Sequence, residues 1–110
     1  MEISGLLIDP HARRVTQIRF GPGNVLHQLY ARLGCSRVVA VPFGPFGDRR
    51  SLLYRGVKPG GLGSKPGFRA HSNVIVGTAV LFGPLDNDDN DTDATWTVEA
   101  TLAEIEWVNC

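Results

Sequence analysis

The sequence predicts an α+β fold in which a single small sheet packs on one main helix and a short helix lies near the C-terminus. Three observations support this prediction. Two early segments have the composition and alternation of strands, one segment has apolar residues at helical spacing, and glycine and proline clusters separate the elements. With 110 residues, 43% of them hydrophobic, the chain has the size of a single domain with one core, spanning residues 1–110.

The first two elements are predicted to be strands joined by a tight turn. Residues 3–8 form a β-branched and leucine-rich run that ends at Asp9 and Pro10. Proline fixes φ there and the aspartate side chain can hydrogen-bond the following backbone, so a turn is favoured. Residues 13–20 then alternate in polarity, as a half-buried antiparallel partner does. We therefore expect a β-hairpin.

A helix is predicted over Val25–Leu33. Asn24 can accept a hydrogen bond as its N-cap, and Gly34 supplies the left-handed residue that ends it. The i, i+3, i+4, i+7 spacing of one apolar face is occupied by Leu26, Leu29, Tyr30 and Leu33.

The middle of the chain predicts three more strands and a long loop. The strands are expected over residues 37–41, 51–55 and 73–82, the last of them apolar enough to be central in the sheet. Residues 56–67 are rich in glycine and also contain proline, so they are expected to form a flexible loop.

The C-terminal part is predicted to contain an acidic loop followed by a helix. Residues 86–93 have no apolar side chain that would anchor them to a core. Thr101 and Glu104 fit a capping box, and apolar residues from Val98 to Ile105 share a helical face, although Ile105 and Trp107 also alternate like a strand. The predicted element order is ββαβββα.

Charge is strongly segregated along the chain, although the net charge is zero. Residues 1–70 hold all eleven Lys and Arg residues against three acids, Glu2, Asp9 and Asp48, which gives +8. Residues 71–110 hold the other eight acids and no base, which gives −8. Such a distribution predicts charged binding surfaces, unless the two halves lie together in the fold and neutralise one another.

Two sets of residues are the candidate binding sites. The basic set, suited to a partner protein or to phosphate groups, is Arg13, Arg14, Arg37, Arg49, Arg50, Lys58 and Lys65. The acidic set, suited to a basic partner surface, is Asp86, Asp88, Asp89, Asp91 and Asp93.

The known chemical motifs fit poorly. Between Lys58 and Lys65 the glycines resemble a phosphate-binding loop, but the order Gly-Ser-Lys-Pro is not that of a P-loop. A calcium hand starting at Asp88 has Asp93 where the sharp turn needs glycine. His11, His27 and His71 are scattered, and neither Cys35 nor Ser64 lies in a nucleophile motif. We expect no metal, no cofactor and no enzymatic activity.

The chain is expected to remain in the cytoplasm. Its longest apolar stretch, residues 74–82, is about half the length of a membrane-spanning helix. The N-terminus lacks the basic start and cleavage site of a secretory signal. Cys35 and Cys110 have no motif spacing and are expected to be free thiols.

Several short segments resemble a domain family of unknown function that is spread through phage, plasmid and other mobile-element genomes. These segments are the Asp9-Pro10 strand end, the Leu33-Gly34-Cys35 helix end and the Val-Gly-Thr-Ala strand at residues 76–79. The resemblance implies a small non-enzymatic binding protein, such as an anti-CRISPR-like anti-defence inhibitor that occludes a host nucleoprotein complex. The alternative is a nucleic-acid or nucleotide binding module that uses the basic set.

Overall fold

A computed structural model describes residues 3–21, 25–34, 37–43, 51–56, 65–70, 73–83 and 92–109. Strands make up 57% and helices 20% of these residues, so the described fold is mostly β. The elements, in chain order, are β1 (Ile3–Asp9), β2 (Arg14–Phe20), α1 (Val25–Leu33), β3 (Val38–Phe43), β4 (Ser51–Gly56), β5 (Pro66–Ala70), β6 (Asn73–Val76), β7 (Ala79–Phe82), α2 (Val98–Glu104) and β8 (Ile105–Asn109).

The predicted N-terminal hairpin is confirmed. β1 and β2 pair antiparallel from Ile3 opposite Phe20 to Asp9 opposite Arg14. At the turn, Asp9 Oδ1 accepts hydrogen bonds from the N–H groups of His11 and Ala12, at 3.0 and 3.4 Å. The side chain therefore shapes the turn as the sequence suggested.

The predicted helix is confirmed over the same residues, Val25–Leu33. Gly34 follows with a φ of 62°, the left-handed conformation expected just after a helix. Gln28 ties the helix to the end of β2, since its side-chain amide both accepts from the Gly21 N–H and donates to the Gly21 carbonyl, each at 3.0 Å. The proposed N-cap, Asn24, lies outside the described residues.

The prediction of a single small sheet on one main helix is wrong, because the described strands form two sheets. Sheet A has five strands in the order β2-β1-β7-β4-β3, and sheet B has three in the order β6-β5-β8. Every neighbouring pair in both sheets is antiparallel.

A glycine explains why one predicted strand became two. The apolar segment 73–82 breaks at Gly77, whose φ is 88°, so β6 lies in sheet B and β7 in sheet A. The Gly77 N–H donates to the Pro66 carbonyl at 3.1 Å, which fixes the crossing beside the start of β5. The apolar segment therefore contains two strands that belong to different sheets.

The C-terminal helix is present, but its cap differs from the prediction and a strand follows it. Thr97 is the N-cap of α2, and its Oγ1 accepts from the Ala100 N–H at 3.0 Å. Thr101 instead lies inside the helix, fully buried, and its hydroxyl donates to the Thr97 carbonyl at 2.8 Å. The alternation of Ile105 and Trp107 belongs to β8, which pairs with β5.

Two clusters of buried side chains give the molecule three layers. One face of sheet A packs on α1, where Phe20, Leu29 and Phe82 are buried. The other face packs on sheet B, with Leu53 and Phe68 fully buried between the sheets. Each such buried side chain stabilises the fold by about 1.5–3 kcal/mol. Sheet A is therefore the middle layer, with α1 on one face and sheet B on the other.

Candidate functional site

The strands of sheet A run alternately in opposite directions, which gives the sheet two distinct ends. At one end β1 and β4 finish, at Asp9 and Gly56, while β2, β7 and β3 start. We call this the basic end. At the opposite end β1 starts at Ile3 and β7 finishes at Phe82. We call this the acidic end, because the chain enters the acidic segment 86–93 from there.

The basic end collects arginines that are distant in the sequence. Arg13 lies in the turn between β1 and β2, and Arg14 starts β2. Arg55 lies opposite Ala79, near the end of β4, and Arg37 immediately precedes β3. Arg13, Arg14 and Arg37 are exposed, while Arg55 is half-buried. Antiparallel pairing therefore brings these side chains to one end of the sheet.

Lys65 reaches the same end through sheet B. It directly precedes Pro66, whose carbonyl accepts the hydrogen bond from Gly77. Two residues after Gly77, β7 starts at Ala79, which lies at the basic end. Lys65 thus adds a cation from a second sheet to the arginines of the first.

Within the part of the chain that the structure describes, no ion pair joins Arg13, Arg14, Arg37, Arg55 or Lys65 to another residue. Arg69, in contrast, pairs with Glu106 on β8, with 3.3 Å between Nη1 and Oε2. Asp9 also lies at this end, opposite Arg14, so five cations stand against one carboxylate. The excess of positive charge makes the basic end an anion-attracting surface.

The basic end is broad. Arg14 is on β2, at one edge of sheet A, and Arg37 precedes β3, at the other edge. Neighbouring strands lie about 4.8 Å apart, so the four spacings between these edges cover roughly 19 Å. A duplex carries one negative charge per about 1.7 Å of its axis, so a surface of this width extends over several phosphates.

The acidic end is held together by backbone contacts. The Gly83 N–H donates to the Thr92 carbonyl at 3.1 Å, so the chain leaves sheet A and returns to it at the same place. A Cβ on Gly83 would meet the Asp93 carbonyl oxygen and, at 2.6 Å, Thr92 Oγ1. Only glycine permits this close approach, which fixes where the acidic segment begins and ends.

Asp93 fastens the returning chain to β1. Its Oδ1 accepts a hydrogen bond from the Ser4 N–H at 2.8 Å, and the next residue, Ala94, donates its N–H to the Ser4 carbonyl at 2.9 Å. An open depression of about 170 Å³ lies beside them, lined by Ile3, Ser4, Gln17, Arg19 and Asp93. Asp93 is therefore part of the scaffold, and it is the one member of the acidic set that lies within the described residues.

The predicted site residues are only partly brought together. Arg13, Arg14, Arg37 and Lys65 lie at the basic end, spread over the width of sheet A, while Asp93 lies at the acidic end beside Arg19. The remaining predicted residues lie outside the described part of the chain, and they are Arg49, Arg50, Lys58, Asp86, Asp88, Asp89 and Asp91.

Arg55 joins the basic end although it was not a member of the predicted set. It lies on the face of sheet A that packs on sheet B, and at the end of a strand. The sequence places Arg55 near the end of a strand. Its position at the basic end follows from the pairing of β4 with β7, which the sequence alone does not show.

The described residues contain no cluster of three or more His, Cys, Asp or Glu side chains placed to hold a metal ion. His11 lies in the exposed β1–β2 turn, and His27 stacks on Tyr30 of α1 with 6.2 Å between ring centroids. Nor do the described helices include one with the length and hydropathy needed to cross a membrane.

Comparison with known proteins finds no family model, no curated protein and no solved structure that matches this chain. The resemblance to a mobile-element family stays a prediction.

Proposed function

We propose that this chain is a small non-enzymatic binding protein that occludes a nucleoprotein complex in the cytoplasm, as a mobile-element inhibitor of a host defence complex does. One observation carries the proposal. Cations with no ion-pair partner among the described residues gather at one end of sheet A, and the chain leaves sheet A for the acidic segment and returns to it at the other end. A nucleoprotein complex presents both phosphates and the basic protein surface that holds them, so two oppositely charged ends match it.

The basic end supplies the contact with nucleic acid. Arg13, Arg14, Arg37 and Lys65 are cations without ion-pair partners among the described residues, and arginine binds phosphate oxygens in a bidentate manner. Their spread over the sheet suits a phosphate backbone better than a single phosphate group.

The acidic segment supplies the contact with protein. Its sequence places Asp86, Asp88, Asp89 and Asp91 between Gly83 and Thr92, which are tied together by a hydrogen bond. A dense row of carboxylates resembles the charge of a phosphate backbone, so it competes for the basic groove of a nucleic-acid-binding protein.

Capture from a host lysate tests this proposal. The tagged protein, incubated at low salt with and without nuclease, is expected to retain a nucleic-acid-binding defence complex that mass spectrometry identifies. Changing Asp86, Asp88, Asp89 and Asp91 to Asn should reduce this retention, because the attraction for a basic protein surface is lost.

A matched control removes acids elsewhere. Glu99→Gln and Glu104→Gln neutralise residues of α2 and should leave retention unchanged. The proposal fails if the wild-type protein retains no defence component, or if the four-aspartate variant retains it as well as the wild type does.

The second candidate is a module that binds nucleic acid directly through the basic end. The cations of the basic end, which have no ion-pair partner in the described part of the chain, favour it, and the roughly 19 Å width favours an extended polyanion over a mononucleotide. Labelled DNA and RNA at low salt distinguish the candidates. A direct binder shifts the free nucleic acid with a steep salt dependence, whereas an inhibitor prefers the assembled complex to its naked nucleic acid.

A further inference from the structure

Arg32 extends the basic end onto the helix layer of the molecule. It is exposed in the last turn of α1. α1 ends at Leu33, four residues before Arg37 of the basic end, which is a distance of at most about 14 Å. Among the described residues no ion pair joins Arg32 to an acid. The cations at this end therefore come from α1, from sheet A and, through Lys65, from sheet B.

These cations spread in two directions. Arg14 and Arg37 lie at opposite edges of sheet A, which are separated by roughly 19 Å. Lys65 precedes β5, and packed sheets lie about 10 Å apart, so this lysine is displaced from sheet A across the layers. A single strand of nucleic acid follows one line of phosphates, whereas a duplex presents two lines, one on each side of a groove. A two-dimensional array of cations suits the duplex.

The backbone that carries these cations is held in place by strand pairing. Arg14 is paired with Asp9 in the hairpin, and Arg55 is paired with Ala79 on one side and Val39 on the other. A fixed array of cations complements phosphates best where they also occupy fixed positions, as they do in a duplex. A flexible single strand loses conformational freedom when it binds to such an array, and this loss weakens its affinity.

The phenylalanines of sheet A lie away from the basic end. β2, β3 and β7 all start at this end and finish on a phenylalanine, and these residues, Phe20, Phe43 and Phe82, are buried. Tyr54 directly precedes Arg55, but it is half-buried and its ring packs on Phe82 with 5.7 Å between centroids. Proteins that bind single strands stack the bases on aromatic side chains. The rings of sheet A are instead part of the core.

The segments that connect the elements at the basic end have no Phe, Tyr or Trp in their sequences. These segments are residues 9–14, 34–37, 55–66 and 77–79. His11 is the one ring-bearing residue in them, and a single imidazole can stack on one base at a time. The composition of this end therefore favours contacts with phosphates over contacts with bases.

We infer that the nucleic acid bound by the basic end is double-stranded, and that the contacts are made to the phosphates of both strands and not to the bases. This inference rests on the proposed function, since it names the class of nucleic acid that the same surface takes. The major groove of a DNA duplex is about 12 Å wide, so an array roughly 19 Å wide reaches the backbones on both sides of it. Phosphate contacts position a protein on the duplex but carry no sequence information.

Fluorescence anisotropy with probes that contain the same number of phosphates tests the inference. The probes are a labelled DNA duplex, a labelled RNA duplex and labelled oligothymidine, which forms no duplex by itself. At low salt we expect a duplex to bind about tenfold more tightly than oligothymidine, because it carries twice the charge per unit length. The duplex that binds more tightly identifies the source of the backbone. Duplexes of different sequence should bind within about threefold of one another.

A variant of sheet B tests the two-dimensional array. Lys65→Gln removes the cation that lies outside sheet A, so it should weaken duplex binding about fivefold and change oligothymidine binding less. Arg69→Gln is the matched control. Arg69 lies on β5 of the same sheet but is paired with Glu106, so its substitution should change neither affinity.

Three results would overturn the inference while the proposed phosphate contact stands. Oligothymidine binds as tightly as the duplexes, duplexes differ about tenfold or more with sequence, or Lys65→Gln weakens all probes equally. A fourth result has a wider consequence. If no probe binds at low salt, the basic end is not a phosphate-binding surface, and the inference fails together with the nucleic-acid contact of the proposed function.

Discussion

The two ends of sheet A carry their charges in different ways. At the basic end, the cations are side chains on separate strand ends and turns, and none of them forms an ion pair within the described residues. At the acidic end, Gly83, Thr92, Asp93 and Ser4 hold each other through backbone and carboxylate hydrogen bonds. The basic end should therefore tolerate substitution without unfolding, whereas changes at the foot of the acidic segment should cost stability.

Gly83→Ala is expected to have the largest effect on stability. The new methyl group would press on the Asp93 carbonyl, so the backbone must shift and the bond from Gly83 to Thr92 is strained. We expect the free energy of unfolding to fall by about 1–3 kcal/mol in urea denaturation. Gly21→Ala, at a glycine with open space around it, should change it by less than about 0.5 kcal/mol. If both variants lose the same free energy of unfolding, the close approach of Gly83 to Thr92 and Asp93 does not stabilise the fold.

Asp93→Ala should have a smaller effect. It removes the carboxylate that accepts from the Ser4 N–H and leaves the return of the chain to β1 held by the Ala94 bond. We expect a loss of about 1 kcal/mol, because the hydrogen bond is exposed to solvent. Asp93→Asn keeps the accepting oxygen and should lose less. If the Asn variant is as unstable as the Ala variant, the charge of Asp93 stabilises the fold and the hydrogen bond does not.

Arg13→Gly should produce the smallest change, and in the opposite direction. Arg13 has a φ of 51°, a conformation that costs a residue with a side chain of order 1 kcal/mol and costs glycine little. Because glycine also loses more entropy on folding, we expect a gain of about 0.5 kcal/mol in a thermal melt. Arg13→Ala removes the same charge but keeps the strain, so it should show no gain. A destabilised Gly variant would mean that the Arg13 side chain supports the turn.

Local patterns were sufficient to predict the elements whose contacts are close in sequence. The β1–β2 hairpin depends on Asp9 and its neighbours, and α1 depends on apolar spacing and on Gly34. The second sheet was not predictable in this way. Pro66 and Gly67 are poor strand residues, yet both belong to β5, because β8 pairs with both of them and β6 pairs with Gly67 from the other side.

The candidate site was predictable in composition but not in arrangement. The sequence gives the signs of the charges, while strand direction decides which end of the sheet each charge occupies. That direction depends on β7 pairing with both β1 and β4, a contact between residues far apart in the chain. The pairing of Arg69 with Glu106 likewise follows from the register between β5 and β8, which no local pattern contains.

Binding of a labelled DNA duplex over a salt series tests most directly the claim that the basic end is a phosphate-binding surface. Replacing Arg13, Arg14, Arg37 and Lys65 with Gln should leave the fold intact. The plot of log affinity against log salt has a negative slope, and its magnitude should decrease by about four. Arg69→Gln is the control, because this arginine is already paired with Glu106 and should barely change the slope. Absence of wild-type binding at low salt, or an unchanged slope in the four-residue variant, would contradict the claim.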